Sequence, residues 1–308
     1  MADLAMRPLS LGEQLDRAFT VYRSRFGALL LAVIICMALP ILMIANNLDL
    51  FTEFAQASQG GASQEEAMRL AFRLFGKFAM IGLVAAAGFI VARATLGWIT
   101  HKALLGDEVG AIEGLEMGVR FFLPMLGLFF LEGAIYMVAM VVMYIPMIFL
   151  VAGSVVAGGA SAGPGVAAFV WVFAFVAVMW WLLAAMFVTS SVLLAESDAT
   201  VFRAIERSWN LTKGRRLGIF GGILVVVVLA FVVQFGLAFG AGILMGATAG
   251  TGTPQVGMMM VVFFGLNALA NLLVTGYYYV FQMVVYYDLR VRKEGLDLEL
   301  ASEAMAST

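Results

Sequence analysis

The sequence predicts an all-α polytopic membrane bundle of six transmembrane helices with interfacial amphipathic helices, and three observations carry that expectation. Of 308 residues, 63% are hydrophobic and only 12% are charged, about half the charged share of a soluble domain. Six apolar segments reach or pass the roughly 20 residues that cross a bilayer as a helix. The basic residues gather on one side of those segments. With a mean hydropathy of +1.00, the chain could not face water without large apolar patches, so a water-soluble globule is excluded.

The predicted spans run at about Phe26–Ala45, 78–98, 121–152, 166–194, 217–243 and 258–287, in one integral membrane domain over 1–308 with a tail over 288–308. The first reads as a retained span. It is longer than the roughly 7–15 apolar residues of a signal-peptide core and follows a segment that is itself helical in pattern. The last four exceed one crossing, which predicts tilt, a kink or extension past the lipid. Pro124 and Pro146 are the bend candidates in the third, because proline removes a backbone donor. No polar turn divides a long segment into two crossings.

Orientation follows from lysine and arginine. Arg7, Arg17, Arg23, Arg25, Arg93, Lys102, Arg120, Arg203, Arg207, Lys213, Arg215, Arg216, Arg290, Arg292 and Lys293, 15 of the 18 basic residues, share the side of the N-terminus. Only Arg69, Arg73 and Lys77 fall opposite, so both termini are expected in the cytoplasm of a bacterial inner membrane. The outer loops near 153–165 and 246–257 carry no charge.

Residues 10–25 form the first amphipathic helix. Ser10 and Glu13 have capping-box spacing, and Leu11, Leu15, Ala18, Phe19, Tyr22 and Phe26 recur on one face, opposite Asp16, Arg17, Arg23 and Ser24. The helix is expected to recognise anionic phospholipid, to act as a simple interfacial anchor, or to pack on the bundle. A second such helix is expected before the second span, capped by Ser63 and Glu66, lying on the outer leaflet or acting as a lid over an outward cavity. Glu65, Arg69, Arg73 and Lys77 line one of its faces, and Met68, Phe72, Phe75 and Ala79 line the other.

An internal repeat underlies the plan. Residues 11–19 superpose on 201–209, matching apolar positions, an acid–Arg pair (Asp16-Arg17 and Glu206-Arg207) and an aromatic (Phe19 and Trp209). A third, weaker copy is residues 107–120. The unit would be a cytoplasmic amphipathic helix and a membrane hairpin, used three times; chance similarity between amphipathic helices is the alternative for the middle copy. Arg203 and Arg207 join Arg17 and Arg23 as headgroup candidates.

Chemistry-bearing residues are sparse. One cysteine (Cys36) and one histidine (His101) exclude an intrachain disulfide, a cysteine metal cluster and a histidine-rich zinc centre. Phosphate-loop, metalloprotease and nucleophile-elbow motifs are absent from the sequence, so neither a cofactor nor enzymatic activity is expected. A net charge of −2 gives no reason to expect nucleic acid.

Glu132 stands out because it lies about 16 Å into the third span by the helical rise. There an ionised acid costs several kcal/mol unless paired. Arg93 could reach it or could snorkel to the interface. Glu132 is then a proton or substrate site, or a polar tie between helices for which Gln would serve within about 1 kcal/mol. In the last span Asn267, Asn271, Thr275, Tyr278 and Gln282 make one polar stripe, expected to face the bundle as a hydrated groove or as helix–helix hydrogen bonds. Tyr277, Tyr279, Tyr286 and Tyr287 with Trp98 fit an interfacial aromatic belt.

Three stretches, Arg7-Pro-Leu-Ser-Leu-Gly-Glu-Gln-Leu-Asp-Arg-Ala-Phe, Ala204-Ile-Glu-Arg-Ser-Trp-Asn-Leu-Thr-Lys-Gly and Tyr286-Tyr-Asp-Leu-Arg-Val-Arg-Lys-Glu-Gly-Leu-Asp-Leu-Glu, together resemble the membrane domain of glycerophosphoryl diester phosphodiesterases and its stand-alone bacterial relatives. The resemblance implies a membrane module linked to lipid metabolism. It implies no phosphodiesterase activity, since the catalytic barrel's histidines and metal-binding carboxylates have no counterpart. The expected role is a lipid-associated scaffold or accessory protein with a membrane-protein partner or a second copy. The alternative is a transporter or channel for a small or lipidic solute using Glu132 and the polar stripe.

Overall fold

The computed structural model describes residues 7–47, 64–156, 162–247, 253–296 and Leu298. Among them the chain is helical, with no strand. The elements are α1 (Leu11–Ser24), α2 (Phe26–Ala45), α3 (Gln64–Leu105), α4 (Ala111–Arg120), α5 (Phe122–Val156), α6 (Ala162–Ala185), α7 (Thr189–Ala195), α8 (Val201–Thr212), α9 (Arg216–Ala247) and α10 (Thr253–Glu294). Five stretches are long and apolar enough to cross a membrane: Phe26–Ala45, Met68–Leu105, Phe122–Gly153, Phe169–Ala195 and Arg216–Gly240. The molecule is a helical membrane protein. The sixth expected span falls in α10, part of which lies outside the residues whose side chains are described. The expected cap at Ser63, residues 157–161 and 248–252 of the two uncharged loops, and most of the tail lie outside the described residues as well.

Local chemistry explains the short helices. Ser10 accepts from the Glu13 N–H while the Glu13 carboxylate takes the Ser10 N–H, closing the capping box of α1. Thr200 caps α8 through the Arg203 N–H. The expected outer-leaflet helix is not a separate element: its residues are the first turns of α3. That 42-residue helix is about 63 Å long by the helical rise, twice the hydrocarbon thickness. No breaker lies between Lys77 and the apolar run, so the backbone continues. Pro124 sits in the first turn of α5, where a missing N–H costs no helical bond; Pro146 lies inside the helix.

Packing follows a rule. The long helices pair as α2 with α3, α5 with α6, and α9 with α10, while α1, α4 and α8 pack most extensively on α10, α3 and α7. α4 thus leans on the closing helix of the previous pair and α1 on that of the last, while α8 leans chiefly on α7, the short helix that continues from α6. α4 seats through Gly114 and Gly118, four residues apart, against Thr95, Ile99 and the Val91 carbonyl of α3. α1 seats through Ala18 and Val21. The Tyr22 hydroxyl donates to the Leu273 carbonyl, and Tyr277 donates to the Leu15 carbonyl. These contacts pack α1 on the bundle, with Phe19 and Arg23 left exposed.

The core lies at the end of the molecule where the short helices sit. Ile90, Leu96 and Ile99 of α3, Val192 of α7, Ala204 of α8 and Val280 to Tyr286 of α10 are buried together. The other ends of the long helices are largely exposed, with Val138, Phe149, Phe173, Phe231 and Phe239 all more than half accessible. Tyr279, Tyr286 and Tyr287 belong to the core, which corrects their placement in an interfacial belt. Burial becomes affordable when the hydroxyls find partners: Tyr287 shares a hydrogen bond of 2.8 Å with His101 Nδ1, and Tyr286 donates to Glu196 at 3.0 Å.

Candidate functional site

Glu132 projects from α5 toward α3, where the Arg93 guanidinium meets it with two parallel hydrogen bonds of 2.8 and 3.1 Å. Both side chains are only 13% exposed. Of the two expectations for Arg93, pairing prevails over snorkelling, because a planar fork matched to a carboxylate offsets the desolvation of both charges. The Thr189 hydroxyl of α7 donates to the same carboxylate, so three helices meet on one acid.

Thr189 stands beside a break. The span expected over 166–194 is two helices, α6 and α7, separated by a turn at 186–188 in which Phe187 and Val188 are buried. Broken backbone at membrane depth survives only where protein satisfies the freed carbonyls. Here Ser208 of α8 donates to the Ala185 carbonyl at 2.9 Å. Gln282 of α10 donates its amide to the Phe187 carbonyl, and its oxygen accepts from Ser190 at 2.8 Å. Thr189, Ser190, Ser208 and Gln282 are all buried.

A second polar cluster closes the core nearer the short helices. Both oxygens of Glu196, 2.8 and 2.9 Å away, accept from Arg207 Nε, and Arg207 also pairs with Glu294, which in turn pairs with Arg290. Burial pulls the Arg207 pKa down, but hydrogen bonding to Glu196 and the charges of Glu196 and Glu294 outweigh it, so its pKa is raised. Asp288, 5% exposed, accepts from the Leu9 N–H and the Gln14 amide, each at 2.7 Å, and from Arg292 at 2.9 Å.

The sequence-predicted residues divide accordingly. Arg93 and Glu132 come together, and Gln282 joins them through the Ser190–Thr189 segment. Tyr278 is half-buried, with its ring 5.6 Å from that of Phe187. Thr275 and Asn267 are half-buried, while Asn271 is exposed and turns its amide back onto the Asn267 carbonyl at 2.9 Å. The polar stripe thus enters the bundle at its Gln282 end and not along its whole length. Among the headgroup candidates, Arg207 is committed to Glu196 and Glu294, Arg203 pairs with Asp198, Arg17 is half-buried and Arg23 is exposed.

Sequence reasoning missed Thr189, Ser190, Glu196 and Asp288. The run Thr189-Ser190-Ser191 inside an apolar segment was the available signal for the break. Among the described residues, no three His, Cys, Asp or Glu side chains stand together as a metal-binding group. No family model, no curated protein and no solved structure matches this chain.

Proposed function

We propose that this protein is a non-catalytic, lipid-associated scaffold or accessory module of a bacterial cytoplasmic membrane, related to the membrane domain it resembles. In this reading it has six spans, with both termini in the cytoplasm, and is built from three copies of a short amphipathic helix followed by a long-helix pair. The alternation of short and paired long helices, and the cyclic packing of α1, α4 and α8, support the threefold plan.

One observation carries the scaffold reading over a carrier. The deep polar groups spend their hydrogen-bonding capacity on one another: Glu132 on Arg93 and Thr189, and Gln282 on Ser190 and Phe187. A coupling acid must exchange partners or protons during a cycle, whereas a carboxylate held by a guanidinium fork and a hydroxyl ties helices. The test is a proteoliposome with an internal pH-sensitive dye. After a pH step, vesicles holding the parent protein should leak protons no faster than protein-free vesicles. Proton flux through the parent above that baseline would replace the scaffold with a carrier.

A further inference from the structure

Most basic side chains in the core end of the molecule are matched to acids: Arg7 to Glu13, Arg25 to Glu108, Lys102 to Asp107, Arg203 to Asp198, Arg207 and Arg290 to Glu294, and Arg292 to Asp288. One group departs from that pattern. Lys213, Arg215 and Arg216 follow one another where α8 turns into α9, and Lys293 of α10 faces Lys213 and Arg216, with no acid at ion-pair distance from any of the four among the described residues. Lys293 reaches across from α10 to the Asn210 and Lys213 carbonyls at 2.7 and 2.8 Å. The Lys293 pKa is lowered by burial and then by the facing charges of Lys213 and Arg216.

The turn holds these cations in place. Gly214 sits at φ +83°, a conformation that glycine adopts freely and side chains resist, so the chain reverses between Lys213 and Arg215. The Arg216 guanidinium lies over two rings at once, 4.2 Å from Trp181 and 4.3 Å from Trp209, and its buried Nε has no hydrogen-bond partner. Like charges gathered and braced by aromatic faces repel one another unless an anion joins them. Next in the chain is Leu217, 87% exposed, and the apolar span Arg216–Gly240 starts here. The anion would therefore meet the site at the depth where phosphate gives way to acyl chain.

We propose that Lys213, Arg215, Arg216 and Lys293 form a binding site for the phosphate of an anionic phospholipid, with the two tryptophans and Leu217 against its glycerol and upper acyl region. This assignment deepens the lipid-associated reading above and rests on it. It moves the headgroup contact from the paired Arg203 and Arg207 to the unpaired turn.

The experiment measures retention of phosphatidylglycerol and phosphatidylcholine by the detergent-solubilised protein, using native mass spectrometry. Lys213→Gln/Arg215→Gln is the principal variant, because both side chains are exposed and hold nothing in the fold. The parent should prefer phosphatidylglycerol, and the double variant should bind it about tenfold or more weakly, as expected for two cations near an anionic surface. Its thermal midpoint in detergent should be unchanged. Arg23→Gln/Arg203→Gln, at the same end but outside the cluster, should keep the parent's preference.

A parent without preference between the two lipids would overturn both the site and the lipid-associated reading. A preference that the principal variant retains, or that both variants lose equally, would overturn the site alone. Glycerol 3-phosphate supplies the remaining arm: if it displaces phosphatidylglycerol at millimolar concentration, the source is a soluble phosphate and the lipid assignment fails.

Discussion

Glu132 and Arg93 have to be judged as one unit. Taken alone, the acid suggested that Gln would be a mild replacement; with Arg93 in place, Glu132→Gln leaves a guanidinium charged, 13% exposed and short of its counter-ion. Removing one partner of a buried pair costs about 3–5 kcal/mol. The expected result is a loss of about 3 kcal/mol or more in detergent unfolding for Glu132→Gln. In Arg93→Gln/Glu132→Gln, stability should return to within about 1 kcal/mol of the parent, the scale of one intramembrane hydrogen bond. If the double variant is as unstable as the single, the tie is not electrostatic. The need for a partner was legible in the sequence, because an apolar surround makes a lone carboxylate untenable. Thr189 was not, since a hydroxyl in an apolar run announces neither its depth nor its direction.

At the scale of elements, the short helices could be read where side chains close on their own backbone, as Ser10 and Glu13 do, because that chemistry spans three residues. Contacts across the fold could not. The break at 186–188 has only the hydroxyls of Thr189-Ser190-Ser191 to mark it in sequence, since the groups that satisfy its carbonyls come from Ser208 and Gln282, on two other helices. The amphipathic start of α3 misled in the opposite sense: a change of polarity is not a change of backbone. The seating of α4 yields the prediction here. A Cβ at Gly118 would stand 2.9 Å from the Val91 carbonyl oxygen and closer still to the Thr95 hydroxyl, and neither backbone nor a β-branched side chain yields easily. Gly118→Ala should cost about 1–3 kcal/mol in detergent unfolding, whereas Gly12→Ala, with open space around it, should cost little.

The molecule as a whole was legible through composition and charge distribution, which do not depend on contacts, and so the all-helical membrane character was readable early. Which end holds the core was not, because apolar residues facing lipid and apolar residues facing protein look alike in sequence. The proposed topology has a direct check. Reporter fusions after Gly60 and Thr308 should report opposite sides of the membrane, with Thr308 cytoplasmic; the same side for both would sink the six-span arrangement.

The clasp of Leu9 and Gln14 on Asp288, reinforced by Arg292 on the Leu9 carbonyl, sets an order of events during biogenesis. α1 leaves the ribosome well before α10, whose surface it needs. Until α10 emerges, the face carrying Ala18 and Val21 lacks its main packing partner, and the Asp288 latch cannot form. A ribosome stalled before α10 would thus hold a nascent chain in which α1 is still undocked.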